Sequence, residues 1–497
     1  MAGLQIQEGL DKLNNMFKIT RIILLILTGL SIKAQNHVDA LRYSQESLWG
    51  SARYVSMGGA FGSLGANAST PSHNPAGIAI NTNNEFSSSL SFLDIETSAS
   101  YHSSNTFDNN SNRSVPNLNY VNANVFDPEQ IGDWSRFNFG IGYNKLEDYN
   151  QNIYISSELN ENNFSFSDFI TTNSNGISFE NLNMFSELLA FNTYLIDTLN
   201  SPNNYVSNAN FTNRNQSFSS VQSGSKNEFY VSFGSAYQDR LFIGATIGFP
   251  SIEYTERNII RESNADNSDG LSEQDSYEYN TNLFTSGSGI NLKFGLIYKL
   301  DETIRYGFAI HTPTYYEMNE EYWTSMSTNL ANAPGSFSDE SYLGFFDYRL
   351  TTPFKMINSL SLVINKSAII SLDYELLDYS SSNFNSDFDN FTTSNTNIEN
   401  YYTRTSNLKL GGELKIHPQL SFRGGYAYYG SPFALNYNDA SQEYLTFGAG
   451  LNVNQYFFDM AIINMLSNYD TYIYEEASAA EIQLTKSQLI FSAGFKF

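Results

Sequence analysis

The stretch Leu489-Ile490-Phe491-Ser492-Ala493-Gly494-Phe495-Lys496-Phe497 ends the chain. Successive side chains of a β-strand point to opposite faces, so the aromatic residues and Ala493 share one face, and Ser492, Gly494 and Lys496 share the other. A soluble protein has little reason to leave such an aromatic stripe exposed. A strand that closes a barrel in a membrane does, because one of its faces meets lipid. The stretch therefore predicts the last strand of a transmembrane β-barrel.

Both ends of the chain indicate export to the outer membrane. Residues 16–35 read MFKITRIILLILTGLSIKAQ: two positive residues, a short apolar run, and Ala34 before a cut at Gln35. This pattern is typical of a secretory signal peptide and is too short for a membrane helix, although a small N-terminal anchor helix is the alternative. We expect residues 1–34 to be an upstream extension plus a cleaved signal. Phe495 and Phe497 resemble the C-terminal signal read by the outer-membrane insertion machinery, so we expect that machinery as a partner and the outer membrane of a Gram-negative bacterium as the location.

The composition fits a barrel wall and its loops. Of 497 residues, 15% are aromatic and only 15% are charged, below the roughly 25% of globular proteins. Barrels use aromatic residues at the two membrane interfaces and small polar residues inside. The chain has no cysteine, so no disulfide stabilises it. Its formal net charge of −25 argues against nucleic acid as a partner and is typical of acidic surface loops.

Segments with a period of two recur along the chain and predict fourteen antiparallel strands. Short connections alternate with long ones, as in outer-membrane barrels with short periplasmic turns and longer extracellular loops. A soluble β-sandwich, the alternative, gives no reason for this alternation. The predicted barrel occupies residues 85–497. Its strands are expected at about 85–102, 134–144, 149–159, 226–237, 241–257, 273–299, 303–316, 345–364, 368–380, 404–416, 420–430, 442–452, 456–473 and 485–497.

A long insertion at about 160–225 separates the third and fourth predicted strands. Residues 179–199 within it carry apolar side chains at helical spacing, so we expect a helical extracellular insertion. It would cap the barrel mouth or contact neighbouring molecules. Packing against the residues of the loop itself is the alternative.

The segment before the barrel, residues 35–84, is dense in glycine and does not alternate like a strand. Fourteen strands enclose a lumen wider than side chains alone fill. Glycine allows close approach of backbones in a confined space. These residues therefore predict a plug, or hatch, inside the barrel.

Two motifs in this segment resemble a known family. The run Ser51-Ala52-Arg53-Tyr54-Val55-Ser56-Met57-Gly58-Gly59-Ala60-Phe61, followed by Asn74-Pro75-Ala76-Gly77, is similar to the N-terminal hatch of FadL-like proteins, the outer-membrane transporters of long-chain fatty acids and other hydrophobic compounds. Further similarity occurs at 289–295, at 309–314, at 373–375 together with 378–379, and at 425–429. The resemblance implies a fourteen-stranded barrel with a hatch, and it implies these hatch or gate residues: Met57, Gly58, Gly59, Phe61, Asn74, Pro75, Ala76 and Gly77.

The family resemblance implies passive uptake of hydrophobic small molecules, with exit through the wall where a strand is kinked. Pro250 and Pro353 are candidates for such kinks, because proline cannot donate to a ladder; a plain bend is the alternative. A second function remains open: some FadL-like barrels serve secreted proteins, so this one could be a docking platform or subunit of a larger outer-membrane complex.

No catalytic group, cofactor or metal is expected. His311 has no accompanying nucleophile motif, and no Gly-x-Ser-x-Gly occurs. Residues Asp266–Gly270 resemble the start of a calcium loop, but Ser276 stands where the acidic ligand is required. An acidic solvated turn is the simpler interpretation.

Overall fold

The computed structural model describes residues 36–126, 133–160, 162–209, 211, 213–265, 275–330, 335–365, 367–387, 390–434 and 437–497. The predicted signal segment and the acidic run Asp266–Gly270 lie outside these residues. Residues 37–497 form one compact unit.

Antiparallel strands pair in sequence order around a closed barrel, and the first strand pairs with the last from Glu85↔Lys496 to Ser100↔Glu481. The predicted fold, a fourteen-stranded antiparallel barrel, is confirmed. Its strands, with the small strands of the loops, are β1 (Glu85–Tyr101), β2 (Ser104–Val125), β3 (Trp134–Asp148), β4 (Gln151–Asn160), β5 (Ile196–Thr198), β6 (Tyr205–Ser207), β7 (Asn213–Tyr237), β8 (Leu241–Asn264), β9 (Ser276–Lys299), β10 (Ile304–His311), β11 (Tyr315–Asn329), β12 (Ser336–Glu340), β13 (Gly344–Thr351), β14 (Lys355–Ile364), β15 (Ala368–Asp378), β16 (Asn383–Asn385), β17 (Arg404–His417), β18 (Leu420–Tyr429), β19 (Gln442–Val453), β20 (Tyr456–Tyr472) and β21 (Ala479–Lys496).

Three of the fourteen barrel strands are interrupted and consist of two pieces each. β3 and β4 both pair with β7, one above the other. β10 and β11 both pair with β9 and are two pieces of one strand. On their other side β10 pairs with β14 and β11 pairs with β13, so β14 and β13 are likewise two pieces of the next strand. The remaining eleven barrel strands are single: β1, β2, β7, β8, β9, β15, β17, β18, β19, β20 and β21.

The predicted number of strands is right, but two of its assignments are wrong and compensate each other. Residues 103–133 were expected to be a loop, yet 104–125 form β2, which pairs along the length of β1. Asn and Ser dominate both faces of β2, so its apolar alternation is weak although its backbone pairing is complete. Conversely, 134–144 and 149–159 were expected as two strands with a turn at 145–148, but they lie in line as one strand, β3 and β4. A bulge at Lys145/Glu147 produced the apparent turn.

An apolar belt surrounds the lower half of the barrel, where the tight turns are. Above it the outward faces become polar, as on β8, where Ser251, Glu253 and Thr255 are exposed. Because about 9–11 tilted residues cross a bilayer, the 24 residues of β8 extend well beyond the lipid. We define the apolar belt by exposed residues including Phe86, Leu90, Leu118, Phe137, Ile141, Phe229, Phe233, Ile243, Ile247, Phe249, Ile290, Leu292, Phe294, Leu360, Ile364, Ile370, Leu372, Leu408, Leu410, Leu414, Phe422, Leu445, Phe447, Leu451, Phe458, Met460, Ile462 and Phe491.

Helices occur in the hatch and in two outer loops. Among the described residues, none is long and apolar enough to cross a membrane. The expected insertion does contain helices: a 3-10 turn and a short helix lie within 179–199, and a longer helix precedes them. Residues 213–225, placed in the insertion, belong to β7. The helices are α1 (His37–Ser44), α2 (Ala52–Val55), α3 (Phe166–Ser174), α4 (Glu187–Asn192) and α5 (Thr392–Tyr401), with 3-10 turns at Thr70–Ser72, Pro75–Ile80, Phe179–Asn181 and Tyr379–Ser381.

Candidate functional site

The hatch, residues 37–84, packs against the inner faces of the barrel strands. Gly58 and Gly59 reverse the chain after α2 with φ of +62° and +74°, values that glycine adopts without strain. The backbone N–H of Gly58 donates to the Thr446 hydroxyl of β19 at 3.1 Å. Met57 and Phe61, on either side of this reversal, are completely buried. Four of the expected hatch residues thus form one turn pressed against the wall.

The other expected hatch motif, Asn74-Pro75-Ala76-Gly77, begins a 3-10 turn and ties it to the wall. The side-chain oxygen of Asn74 accepts from the Ala76 N–H at 3.1 Å and caps the turn. Its amide nitrogen donates to the carbonyl of Leu296 on β9 at 3.2 Å. The carbonyl of Gly77 accepts from the Ala66 N–H at 2.9 Å, which holds the two parts of the hatch together.

Glycines on the barrel wall allow this close approach, and they were missed in the sequence. A Cβ at Gly411 would overlap the carbonyl oxygen of Met57, and a Cβ at Gly425 would overlap the N–H of Gly58. The same holds for Gly244 against Pro75. Attention to glycines at inward positions of the predicted strands would have found them.

Ion pairs and hydrogen bonds connect the hatch to the wall on the side of β7–β17. Glu46 pairs with Lys355, and Arg53 pairs with Glu413 at 3.0 Å. Burial raises the pKa of the Glu46 carboxyl, but Lys355, Lys226 and Lys293 outweigh burial, so this pKa lies well below its ordinary value. On the side of β18–β21 apolar contacts accompany the hydrogen bonds, with Leu48, Val55, Met57 and Phe61 in one cluster with wall residues such as Ile463 and Ile490.

Two small polar cavities lie against the hatch. The first has a volume of about 90 Å³, which holds a few water molecules. Among its lining residues are Trp49, Lys293, Lys355, Glu375 and Lys409. The second, about 190 Å³, lies among Arg53, Glu413 and Arg423. Binding sites for drug-sized molecules measure about 300–1,000 Å³, so neither cavity takes such a molecule unless the hatch or α1 moves.

The first cavity reaches the interruption between β3 and β4, where Asn144, Lys145 and Leu146 line it. Beside this interruption, β2 and β3 pair only from Asn117↔Asn144 to Val125↔Arg136. Above it, side chains replace the ladder: Asn152 donates to the Asn109 carbonyl at 3.4 Å, and the Thr106 hydroxyl donates to the Tyr154 carbonyl. The wall is therefore weakest in backbone hydrogen bonds at this point.

The two candidate kinks occupy different settings. Pro250 lies within the continuous strand β8 and is paired with Glu228 of β7. Pro353 lies between β13 and β14 and lines the first cavity. At the end of the chain, Phe495 pairs with Phe86 of β1, and Phe497 exchanges two backbone hydrogen bonds with Asn84. The expected roles of these residues stay predictions.

The lumen contains two histidines, His73 of the hatch and His311 of the wall. The His73 ring lies 2.7 Å from Asp373, and the His311 ring lies 2.8 Å from the His73 carbonyl oxygen. Both contacts fasten the hatch to the wall. Within the residues that the structure describes, no three His, Asp or Glu side chains group so as to hold a metal ion.

Two solved structures are similar to this chain over most of its length. The Pseudomonas putida toluene transporter TodX is similar at a TM-score of 0.54 and 14% identity, covering 91% of this chain and 99% of that one. A Pseudomonas aeruginosa FadL homologue is similar at a TM-score of 0.53 and 12% identity, covering 91% of this chain and 100% of that one. No protein-family model matches the sequence, and no curated protein matches it either. The chain therefore has the fold of the FadL transporters, a hatch-filled barrel of fourteen strands.

Proposed function

We propose that this protein mediates passive uptake of hydrophobic small molecules across the outer membrane of a Gram-negative bacterium, after cleavage of its signal segment. The observation that carries the proposal is the combination of a hatch in the lumen with a cavity that reaches the interrupted strand β3/β4. Transporters of toluene and a FadL homologue share this fold. Passage along such a route needs no catalytic group, only an opening and a path.

Passage requires movement, because the cavity of about 90 Å³ is smaller than a hydrophobic solute. The element next to the outer mouth is α1. Its Ser44 hydroxyl lies 3.4 Å from that of Ser382, beyond the end of β15, and the Tyr402 hydroxyl donates to the His37 carbonyl. The buried Ala40, Leu41 and Tyr43 of α1 also pack in an apolar cluster with wall residues, so a displacement of α1 must separate these contacts as well. A displacement of α1 would connect the mouth with the cavity, and the interruption of β3/β4 would then release the solute sideways.

A disulfide that locks α1 tests this route in a chain without other cysteines. Ser44→Cys with Ser382→Cys places two thiols where two hydroxyls meet. Ser232→Cys with Thr246→Cys, whose hydroxyls lie 2.8 Å apart within the wall, is the matched control. We expect proteoliposomes containing the protein to take up N-phenyl-1-naphthylamine several times faster than empty ones. The first disulfide should reduce that rate at least fivefold and the control should not. Uptake no faster than in empty liposomes would refute the function.

A second function, as a docking platform in a larger outer-membrane complex, has one specific observation in its favour. Tyr342 and Phe345 are 81% and 68% exposed, with Leu343 between them. They lie at the upper end of β13, separated from the apolar belt by the exposed, polar Asp347 and Arg349. Exposed aromatic side chains above the lipid are typical of protein contact surfaces.

Purification from native membranes in mild detergent tests the second function. If it is right, a stoichiometric partner should accompany the wild-type protein and be lost from a variant with Tyr342→Ser and Phe345→Ser. Phe107→Ser, on an exposed residue of β2, is the matched control. Purification of the wild-type protein without a partner would refute the docking function.

A further inference from the structure

Three prolines lie at one height on three barrel strands. Pro250 is in β8, Pro313 lies between β10 and β11, and Pro353 lies between β13 and β14. Proline lacks the N–H that a ladder needs, and it occurs in sheets at edges and bulges. We call residues 249–250, 312–314 and 352–354 the proline seam.

The ladders of four neighbouring strands are interrupted along this seam. Between β8 and β9 the pairing stops at Gly248↔Asn291 and resumes at Ser251↔Ser288. The pairing of β10 with β9 and with β14 ends at His311, which faces Lys293 on β9 and Lys355 on β14. The pairing resumes at Tyr315, where β11 pairs with β9 and with β13. Interruption of several ladders at one level is not needed for barrel closure, since β17–β20 are continuous.

Threonine hydroxyls close the seam in place of a regular ladder. The Thr314 N–H donates to the Thr352 hydroxyl at 2.9 Å, and the Thr352 N–H donates to the Thr314 carbonyl at 3.0 Å. On the β9 side, the Leu292 N–H donates to the Thr312 hydroxyl at 3.0 Å. The Thr312 N–H also donates to the Leu292 carbonyl at 2.9 Å, so each edge of the seam holds one hydroxyl-mediated and one backbone hydrogen bond. The hydroxyl-mediated bond can break by side-chain rotation alone, which leaves one backbone bond to separate at each edge.

A cavity lies on each side of the seam. On the inside, Asn291, Thr314 and Thr352 line the luminal cavity. On the outside, their chain neighbours Ile290, Tyr315 and Thr351 line a groove of about 500 Å³. Leu350 and Tyr316, which belong to the buried luminal cluster, also line the groove. One layer of backbone with few ladder bonds therefore separates the groove from the lumen.

The groove has the polarity of the outer edge of a bilayer. Its lower part is apolar: Ile290 is 47% exposed and continues the apolar belt, and Tyr315 is 60% exposed. Glu317, Arg349 and Asn385 form its polar upper part. This order places hydrocarbon below and a head group above, as in the outer leaflet of the membrane. The position at the upper edge of the belt identifies the occupant as an amphiphile with a hydrocarbon chain.

We propose that the proline seam is a second side opening, through which the hydrocarbon chain of an outer-leaflet amphiphile reaches the luminal cavity. It begins on β8, two barrel strands from the interruption of β3/β4, and extends to β13 and β14. The inference rests on the proposed function, because it assigns a lipid-side entrance to the same lumen. The seam opens when the threonine bridges separate.

A disulfide across the seam tests its part in transport. Tyr315→Cys with Thr351→Cys joins two facing residues of β11 and β13 directly above the seam. Asn319→Cys with Asp347→Cys joins another facing pair of the same strands four residues further up and is the matched control. In proteoliposomes we expect the first disulfide to lower N-phenyl-1-naphthylamine uptake at least threefold, reversibly with dithiothreitol, and the control to leave it unchanged. Equal rates for the two disulfides would overturn the proposal.

A labelling experiment decides the matter even if the protein transports nothing. Asn291→Cys and Asn407→Cys both place a thiol in the luminal cavity, one beside the seam and one away from it. A maleimide carrying a hexadecyl chain, dissolved in the bilayer, should label the cysteine at 291 at least ten times faster than that at 407. Equal labelling, or none at 291, would refute a lipid-side opening at the seam. Absence of uptake by the wild-type protein would refute the proposed function alone.

Discussion

The hatch and the outer cap both obstruct the barrel, but different forces hold them. We define the outer cap as residues 162–209, which pack at the upper ends of the strands. Most of its buried side chains are apolar, and they form one cluster with the wall that includes Phe166, Ile170, Leu182, Leu189, Leu195, Tyr205, Ile260, Tyr279 and Ile482. The hatch has apolar contacts on both sides, but on the side of β7–β17 it is also fastened by Glu46–Lys355, His73–Asp373 and similar polar pairs.

The difference indicates which obstruction moves. Separating an apolar cluster exposes its whole area to water at about 25 cal/mol per Å². Separating ion pairs in a polar cavity exchanges them for hydration and costs about 1 kcal/mol each when the pair is partly solvated. Because part of what holds the hatch is polar, we expect the charged side of the hatch to move more readily than the outer cap. The variants below weaken either the apolar contacts of the outer cap or the contacts that hold the hatch.

The largest effect is expected in the outer cap. Phe166 is 2% exposed and packs on Tyr279 at a ring distance of 5.0 Å. Phe166→Ala should cost the cap about 3–5 kcal/mol, the usual range for a buried phenylalanine. Hydrogen exchange of α3 measures this loss. Phe179→Ala, on a residue of the same segment that is 46% exposed, is the control and should change little. A loss that depended on salt would contradict an apolar cap.

A somewhat smaller effect is expected where the hatch meets the wall glycines. Gly411→Val would force a side chain into the Met57 backbone, and overpacking of this kind costs about 1–3 kcal/mol. Gly412→Val is a control on the next residue, where the nearest atom to a new Cβ is 3.7 Å away. We expect uptake of N-phenyl-1-naphthylamine to rise only in the first variant. Equal uptake in both would show that the hatch does not control the path.

The strands below the mouth follow from the sequence because lipid imposes alternation there. In β9, Leu292 and Phe294 face lipid, and Lys293 between them faces the lumen. The same pattern marks Lys409 between Leu408 and Leu410, so the luminal charges were visible in the sequence. β2 could not be recognised in this way, because Asn and Ser on both of its faces interrupt the apolar alternation.

The candidate site was predicted in part. The motif from Asn74 to Gly77 indicated a hatch, and the structure places it against the wall. Its charged contacts could not be predicted, because Glu46 and Lys355 are 309 positions apart and meet only once the register of the whole barrel is fixed. The contacts of the wall glycines could not be predicted either, because they depend on which face of each strand lies opposite the hatch.

A moderate effect is expected from Glu46→Gln, which removes the negative partner of Lys355. The two side chains are 36% and 17% exposed, so solvent screens the pair and the cost is about 1 kcal/mol. Urea titration followed by Trp49 emission, with Trp134 and Trp323 replaced by Phe, measures release of the hatch. In 1 M salt the difference from the parent protein should shrink, since ion pairs are screened and apolar contacts are not. Glu302→Gln, in an exposed turn, is the control.

The smallest effect is expected from pH. The pKa of Glu46 is lowered in the folded protein by its three lysine neighbours, against the effect of burial. A lowered pKa gives stability that is complete above the unfolded value of about 4.3 and is lost as the pH falls through the folded value. The difference in hatch release between the parent protein and Glu46→Gln should thus be constant from pH 5 to 8 and decline only below about pH 4. A decline between pH 8 and 6 would mean that a histidine, and not Glu46, governs the charged side of the hatch.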